Sequence, residues 1–323
     1  MSRFDVTLVG EANLDLLLYG LPEELPPDRE LVADSMALTL GGSPAITAHN
    51  LAALGSRTGL VTLASDDLFG TMCQHDLAAA GVDLSRAIRK TRTAATGVSV
   101  LLQHSGARRT LTYPGNTTDL KLADLDVEYL ANAKHFHLSS YFLQEGLRND
   151  VPSLFAALKQ AGLTISVDPN DDPLGHWDES FFEILSFVDV FMPNEREVCE
   201  MMHEPDANRA MHKLGKLVPL VVVKRGVRGA VAIKDDETFG SPSVEVETVD
   251  AVGAGDSFNA GFLHGWVRGW SLDRCLHFGN LTGAFSTTAA GGVEAFRDRI
   301  RLEKFLSDHL GAETPASAVD TTS

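Results

Sequence analysis

The sequence predicts an α/β fold, a doubly wound sheet with helices on both faces plus a small discontinuous β-sheet lid. Three observations carry that expectation. Strand-like apolar runs alternate with helix-length runs through most of the chain. Two pairs of strand-like runs, at about 14–40 and 97–114, break the alternation without a helix between their members. Residues 249–265, VDAVGAGDSFNAGFLHG, pass from an alternating apolar run through a small-residue turn straight into a helical pattern.

Residues 4–10 read as a buried strand, with polar Asn13 and Asp15 just past its carboxyl end, the side where parallel sheets bind ligands. Runs 14–19 and 30–40 flank the Pro-rich turn 21–28 and form the first strand pair. Gly41-Gly42-Ser43-Pro44 opens a helix to about residue 54, with Pro44 in its first turn and Gly55 after its end. Strand 58–64 and helix 68–80 follow. A hairpin then pairs 97–103 with 109–113 around His104-Ser105-Gly106-Ala107. Both strand pairs together make one small sheet folding over the site. The rhythm resumes with helix 122–131, strand 134–139, helix 151–160, strand 163–168, helix 179–187 and strand 189–192. Leu217–Lys224, a Gly226-x-x-Gly229 turn and Ala230–Lys234 give strand, turn, strand. Val244, Val246 and Val249 alternate like a strand before the glycine turn, and residues 272–288 form a long apolar helix. Residues 1–311 are expected to be one domain, and 312–323, rich in Ala, Thr and Ser, a disordered tail.

The net charge of −17 argues against a nucleic-acid or anionic-membrane partner, because either surface would have to overcome self-repulsion. Cys73, Cys199 and Cys275 are scattered, which suits neither a disulfide framework nor a zinc site. The chain begins directly in a strand without a signal-peptide pattern, and its apolar runs are too short to span a bilayer, so a cytoplasmic location is expected.

The chemistry concentrates at Gly253-Ala254-Gly255-Asp256. A glycine turn feeding a helix leaves backbone N–H groups free and points partial positive charge forward, which suits an anion. Asp256 adds a carboxylate able to take a proton, although Asp is also a common N-cap. A Walker A loop is excluded because Asp256-Ser257 follows the turn, and the dinucleotide fingerprint is excluded because Phe258 occupies its last position.

Asp250-Ala251-Val252-Gly253-Ala254-Gly255-Asp256, with Ser257-Phe258-Asn259-Ala260-Gly261, resembles the C-terminal signature of the pfkB-type, or ribokinase-like, carbohydrate kinases. Gly41-Gly42-Ser43-Pro44-Ala45-Ile46-Thr47-Ala48 resembles their N-terminal signature, with Ile46 where an Asn usually holds sugar hydroxyls. Asp168-Pro169-Asn170 resembles the family's Asp-x-Asn motif, and Asn194-x-x-Glu197 its NxxE motif. The matches run in family order from Asn13 to Gly292.

The resemblance implies a ribokinase-like fold and ATP-dependent phosphorylation of a hydroxyl on a small sugar-like substrate. Asp256 would be the general base, and Gly253, Ala254 and Gly255 the anion hole. Asn13, Asp15, Gly41, Gly42, Ser43, Ile46, Arg109 and Asn170 would meet the substrate. Asn194, Lys224, Gly226, Gly229 and Asn280 would line the ATP site, Lys224 standing where a Thr is usual. Glu197 would order Mg²⁺ through water, and Asp250 corresponds to a monovalent-cation ligand, such as for K⁺, in some relatives. The lid forms a homodimer contact in several members. Asp171 and Asp172, beside the Asp-x-Asn motif, argue for a neutral polyol or nucleoside over a sugar acid, since like charges repel. Arg108 and Arg109 on the lid would counter that, unless they are only solvated hairpin charges. A nucleoside kinase of the same fold and a non-catalytic sugar or nucleotide sensor stand as alternatives.

Overall fold

The computed structural model describes residues 2–89, 95–104 and 107–310. In chain order the strands are β1 (Phe4–Val9), β2 (Asn13–Tyr19), β3 (Ser35–Gly41), β4 (Thr58–Val61), β5 (Leu63–Ala64), β6 (Ile88–Arg89) and β7 (Val98–His104). They continue with β8 (Ala107–Tyr113), β9 (Ala133–Ser139), β10 (Thr164–Asp168), β11 (Val190–Phe191), β12 (Leu220–Lys224), β13 (Ala230–Lys234) and β14 (Glu237–Ser241). The helices are α1 (Ser43–Ala53), α2 (Leu68–Ala79), α3 (Val127–Ala131), α4 (Glu145–Arg148), α5 (Val151–Gln160) and α6 (Glu179–Ile184). After them come α7 (Glu195–Met201), α8 (Ala207–Leu214), α9 (Ala254–Trp266), α10 (Leu272–Ser286), α11 (Glu294–Arg297) and α12 (Arg299–Leu310).

Among the described residues the main sheet has eight strands in the order β14-β13-β12-β11-β10-β9-β1-β4. The pairs from β4 to β12 are parallel, and β13 and β14 close one edge as antiparallel strands. Parallel strands must be buried on both faces, and two apolar cores meet that need. One packs Phe136, Leu138, Ile165 and Val167 against α5, α6 and α7. The other packs Val6, Leu8 and Val222 against α1, α9 and α10. Alternation along β9 therefore turns His135 and His137 toward the α9 side. There they share the Ser166 hydroxyl, and burial depresses both imidazoles, to about 3 and about 4.

The second sheet has the order β3-β2-β7-β8 and forms the lid. Its register sorts side chains into two faces. Leu38, Leu16, Val100 and Leu111 align in one row across the four strands, and Met36, Leu18, Leu102 and Arg109 in the next. Thr39, Asp15, Ser99 and Thr112 align on the opposite face, where Leu17 and Leu101 pack on Val252. Asp67, the N-cap of α2, ties the root of β7 down by accepting from the Thr96 N–H at 2.7 Å and from Gly70 N–H at 2.7 Å.

Several elements differ from expectation: strand 58–64 breaks into β4 and β5, the latter pairing with β6 in a sheet of its own, and β14 adds an unexpected edge strand. Residues 122–131 give a 3-10 turn, Leu122–Asp124, and the short α3, because Asp126 caps a new helix start by accepting from Tyr129 N–H. Helix 179–187 ends in a 3-10 turn after Ile184. Residues 242–249 are not a strand despite their alternating valines: Pro242 lacks a ladder donor, and the carbonyls of Ser241 and Pro242 bond the Asn280 side chain. That extended segment instead borders the cleft described below. Ser105 and Gly106 of the predicted hairpin turn, and tail residues 312–323, lie outside the described residues.

Candidate active site

Helix α9 starts from Gly253, whose φ of 71° is left-handed. A glycine is needed there for space as well as for torsion. A Cβ on Gly253 would sit 2.4 Å from the Gly292 Cα, and one on Gly292 would sit 2.9 Å from Ile46 Cδ1. The turn is thus backed by a second glycine and by the buried Ile46 of α1. The N–H groups of Gly255 and Asp256 lie in the first helical turn, with no helical carbonyl behind them, at the wall of the cleft. Partial positive charge at this helix end is therefore available to an anion.

Asp256 is buried beside that turn and accepts a hydrogen bond from Ser43 Oγ, in the first turn of α1. Burial, reinforced by the nearby Asp168 charge, pushes the Asp256 carboxyl up to about 7, while Ser43 and Lys224 hold it lower than burial alone would. Asp168 ends β10, pairs with Lys224 at the end of β12, and accepts from Asn259 Nδ2 of α9 at 2.6 Å. Burial works against the Lys224 ammonium, but Asp168 and Glu197 outweigh it and raise its pKa, so it stays charged. A Cβ on Gly255 would lie 3.5 Å from Lys224 Nζ, which sets a fixed cation next to the anion turn. Glu197 and Asn194 form a capping box on α7: Asn194 N–H donates to Glu197 at 2.9 Å and Glu197 N–H to Asn194 at 3.0 Å. Burial first, then Asp168, raises Glu197 to about 7.

The cleft is also lined by β2, α1 and the β9–α4 loop. Asn13 accepts from Thr117 Oγ1 at 3.3 Å. Asp15, raised by burial to about 7, fits because a Cβ on Gly41 would fall 2.3 Å from its Oδ1. Asn170, at a left-handed φ of 53°, accepts from Ser140 N–H at 2.8 Å. Glu11, raised by burial to about 7 and hydrogen-bonded by Gln144, lines the same space. Gly226 and Gly229 flank the turn after β12, and Asn280 spends its amide on the Ser241 and Pro242 carbonyls at 2.8 and 3.2 Å.

The structure rearranges three expectations. Strand alternation points Arg108 into the cleft and leaves Arg109 on the outer, apolar lid face. Asp172 turns into its own loop, accepting from the N–H groups of Leu174, His176 and Trp177, and Asp171 pairs with Arg196. Neither therefore stands as a bare repelling charge. Asp250 accepts from Tyr19 at 2.9 Å, Gln103 at 3.2 Å, Val252 N–H at 3.0 Å and Gly291 N–H at 3.2 Å, joining two lid strands to the anion turn. Glu11 and Gln144 carry no sequence motif, and Asn259 appears only within the C-terminal signature. Asp168 was quoted only within its motif, since its ion pair joins two strand ends 56 residues apart.

Glu11, Asn13, Asp15, Ser43, Asn170, Asp168, Lys224, Glu197 and Asp256 thus line one cleft of about 1300 Å³ between the main sheet and the lid, while Gly41, Arg109, Asp172 and Asp250 lie outside its lining. Residues 3–299 match the family model of the pfkB family carbohydrate kinases. The chain belongs to that family. An ATP-dependent ribose-1-phosphate kinase of Halopiger xanaduensis is 31% identical over 294 residues, which is 90% of this chain and 94% of that protein. A fructokinase of Escherichia coli is 28% identical over 312 residues, covering 92% and 98%. A ribokinase II-like protein of Escherichia coli, solved with ATP and Mg²⁺, superposes with a TM-score of 0.81 at 27% identity, over 95% of this chain and all of that one. This chain is thus a sugar kinase with the ribokinase-like fold.

The raised Asp256 sets a pH dependence. A base at this position would work as the carboxylate, so with Asp256 in that role kcat/KM for the acceptor should climb as pH rises through about 7. Ser43→Ala removes a hydrogen bond that favours the charged form, so its acidic limb should move to higher pH. Stability should run the other way. A carboxyl held above its ordinary 3.8 stabilises the fold fully only below that value, and this contribution fades as pH passes about 7. Initial-rate profiles of both proteins from pH 5.5 to 9 check this; coincident limbs would contradict it.

Proposed function

We propose that this kinase transfers the γ-phosphoryl group of ATP to a hydroxyl of a small sugar-like acceptor, with Asp256 as the base. One observation carries the reading: a buried carboxyl raised to about 7 stands in the first turn of the helix whose N-terminus forms the anion turn. The acceptor oxygen would approach between Asp256 and that turn. The N–H groups of Gly255 and Asp256, with Lys224, would stabilise charge on the transferring group. Asn13, Asp15, Asn170 and Ser43 would orient the acceptor, with Glu11 beside them.

On the nucleotide side, Asn194 and the Gly226–Gly229 turn would flank ATP, with Asn280 holding the 242–249 segment against it. Among the described residues no group of three or more His, Cys, Asp or Glu side chains could cage a metal. Mg²⁺ binds chiefly through phosphates, water and one or two carboxylates, so Glu197 beside Asp168 fits it. Bound there, Mg²⁺ would neutralise developing phosphate charge. The four donors around Asp250 favour a coupling role for it, lid to anion turn, over cation ligation. Closure of the lid would exclude water and limit ATP hydrolysis.

The apolar outer lid face, with Met36 and Leu111 exposed at 61% each, would bury itself against a second copy of the chain. Sedimentation should show a dimer for the native chain and a monomer for Leu111→Glu; a native monomer would remove the reading. For the chemistry, Asp256→Asn should lower kcat roughly 10²–10⁴-fold, the range for losing a general base, with little change in MgATP affinity. Acceptor-dependent ADP release within tenfold of normal would take Asp256 out of that role.

A further inference from the structure

We infer that the acceptor is a sugar that already carries a phosphate, and that Arg108 binds that phosphate from the lid. The inference rests on the kinase reading above and names its substrate class. Among the described residues three cations line the cleft: Lys224, Arg196 and Arg108. Lys224 is paired with Asp168, and Arg196 with Asp171 and Glu200. Arg108 has no hydrogen bond or ion pair among the described residues, although it attracts Asp15 on the same face of the lid. A guanidinium so placed offers its planar fork to an incoming oxyanion without first breaking a protein contact.

Its surroundings suit a phosphate too. Thr110 and Thr112 follow Arg108 on the same face of β8, and Ser99 Oγ meets Thr112 Oγ1 at 3.1 Å. Arg108 and Thr112 are four residues apart, about 13 Å at the strand rise, so the strip can hold a phosphate at one end and leave the sugar ring free. Carboxyls line the same cleft, Asp15 from lid strand β2 and Glu11 and Asp256 from outside the lid, where sugar hydroxyls can donate. The two aspartates that weighed against an anionic substrate are engaged elsewhere, Asp171 by Arg196 and Asp172 by its own loop. The Halopiger relative, named as a ribose-1-phosphate kinase, is consistent with this class. In the reaction, the acceptor hydroxyl oxygen bonds the γ-phosphorus while the bond from γ-phosphorus to the β,γ-bridging oxygen breaks. ADP departs, Asp256 takes the hydroxyl proton, and the sugar monophosphate becomes a bisphosphate.

The test measures acceptor-dependent ADP release with MgATP for ribose 1-phosphate, fructose 6-phosphate, ribose and fructose. The native protein should show kcat/KM at least ~10²-fold higher for one phosphorylated sugar than for its free sugar, as expected when a site is built for the missing group. Arg108→Gln should raise KM for that sugar phosphate roughly 10–100-fold with kcat within a few-fold, and leave free-sugar kinetics unchanged. Arg108→Lys should recover part of the loss. Preference for a free sugar, or equal damage to both acceptor classes in Arg108→Gln, would overturn the inference while leaving the kinase reading intact. Silence with all four acceptors would overturn it as well. The kinase reading itself falls only if no acceptor in a wider panel, nucleosides included, elicits ADP release.

Discussion

The site depends on one close backbone contact, that of Gly253 with Gly292. The left-handed Gly253 turn is what frees the first N–H groups of α9. Its surroundings admit no side chain at Gly253, where a Cβ would fall 2.4 Å from the Gly292 Cα, and Ile46 fills the space against Gly292. Three separate segments thus converge on one turn: α1, the start of α9 and the loop after α10. The same convergence places Ser43 of α1 against Asp256 of α9. The Asp256 carboxyl and the glycine turn are therefore set by the same packing, rather than by two independent arrangements.

Electrostatics then divides the cleft. Around Lys224 and Asp168 charges are paired, and Asn259 and Glu197 complete a polar cluster that keeps a cation at the anion turn. Around Glu11, Asp15 and Asp256, burial leaves carboxyls raised to about 7. Such groups exchange protons near neutrality, as a base for a sugar hydroxyl must. Asp250 ties the lid to the glycine turn: Tyr19 and Gln103 reach it from separate lid strands while Gly291 reaches it from beside Gly292.

Much of this was legible in the sequence, for local reasons. The β/α alternation, the glycine turn before Asp256 and the motif order all reside in contiguous residues. What was hidden is set by geometry across the chain. The alternating valines of 244–249 resemble a strand, but pairing also needs a neighbouring strand, and β14 ends at Ser241 just before Pro242, with the Ser241 and Pro242 carbonyls engaged by Asn280. Arg108 and Arg109 are equivalent as text, and only the register of β8 with β7 assigns one to the cleft and the other to the outer face. Ile46, read as a loss of sugar contacts, gains its reason from two glycines, one more than 200 residues away and the other further still. Glu11 carries no motif at all; it becomes visible only when Gln144 and Ser43 fold beside it.

The most direct measurement is a crystal structure of the protein with MgADP, aluminium fluoride as a mimic of the transferring phosphoryl group, and an acceptor sugar. The account predicts that the fluoride ligands lie about 3 Å from the N–H groups of Gly255 and Asp256, with the acceptor hydroxyl between the metal fluoride and the Asp256 carboxylate. A metal fluoride bound away from that turn, or an acceptor hydroxyl held beyond reach of Asp256, would contradict it.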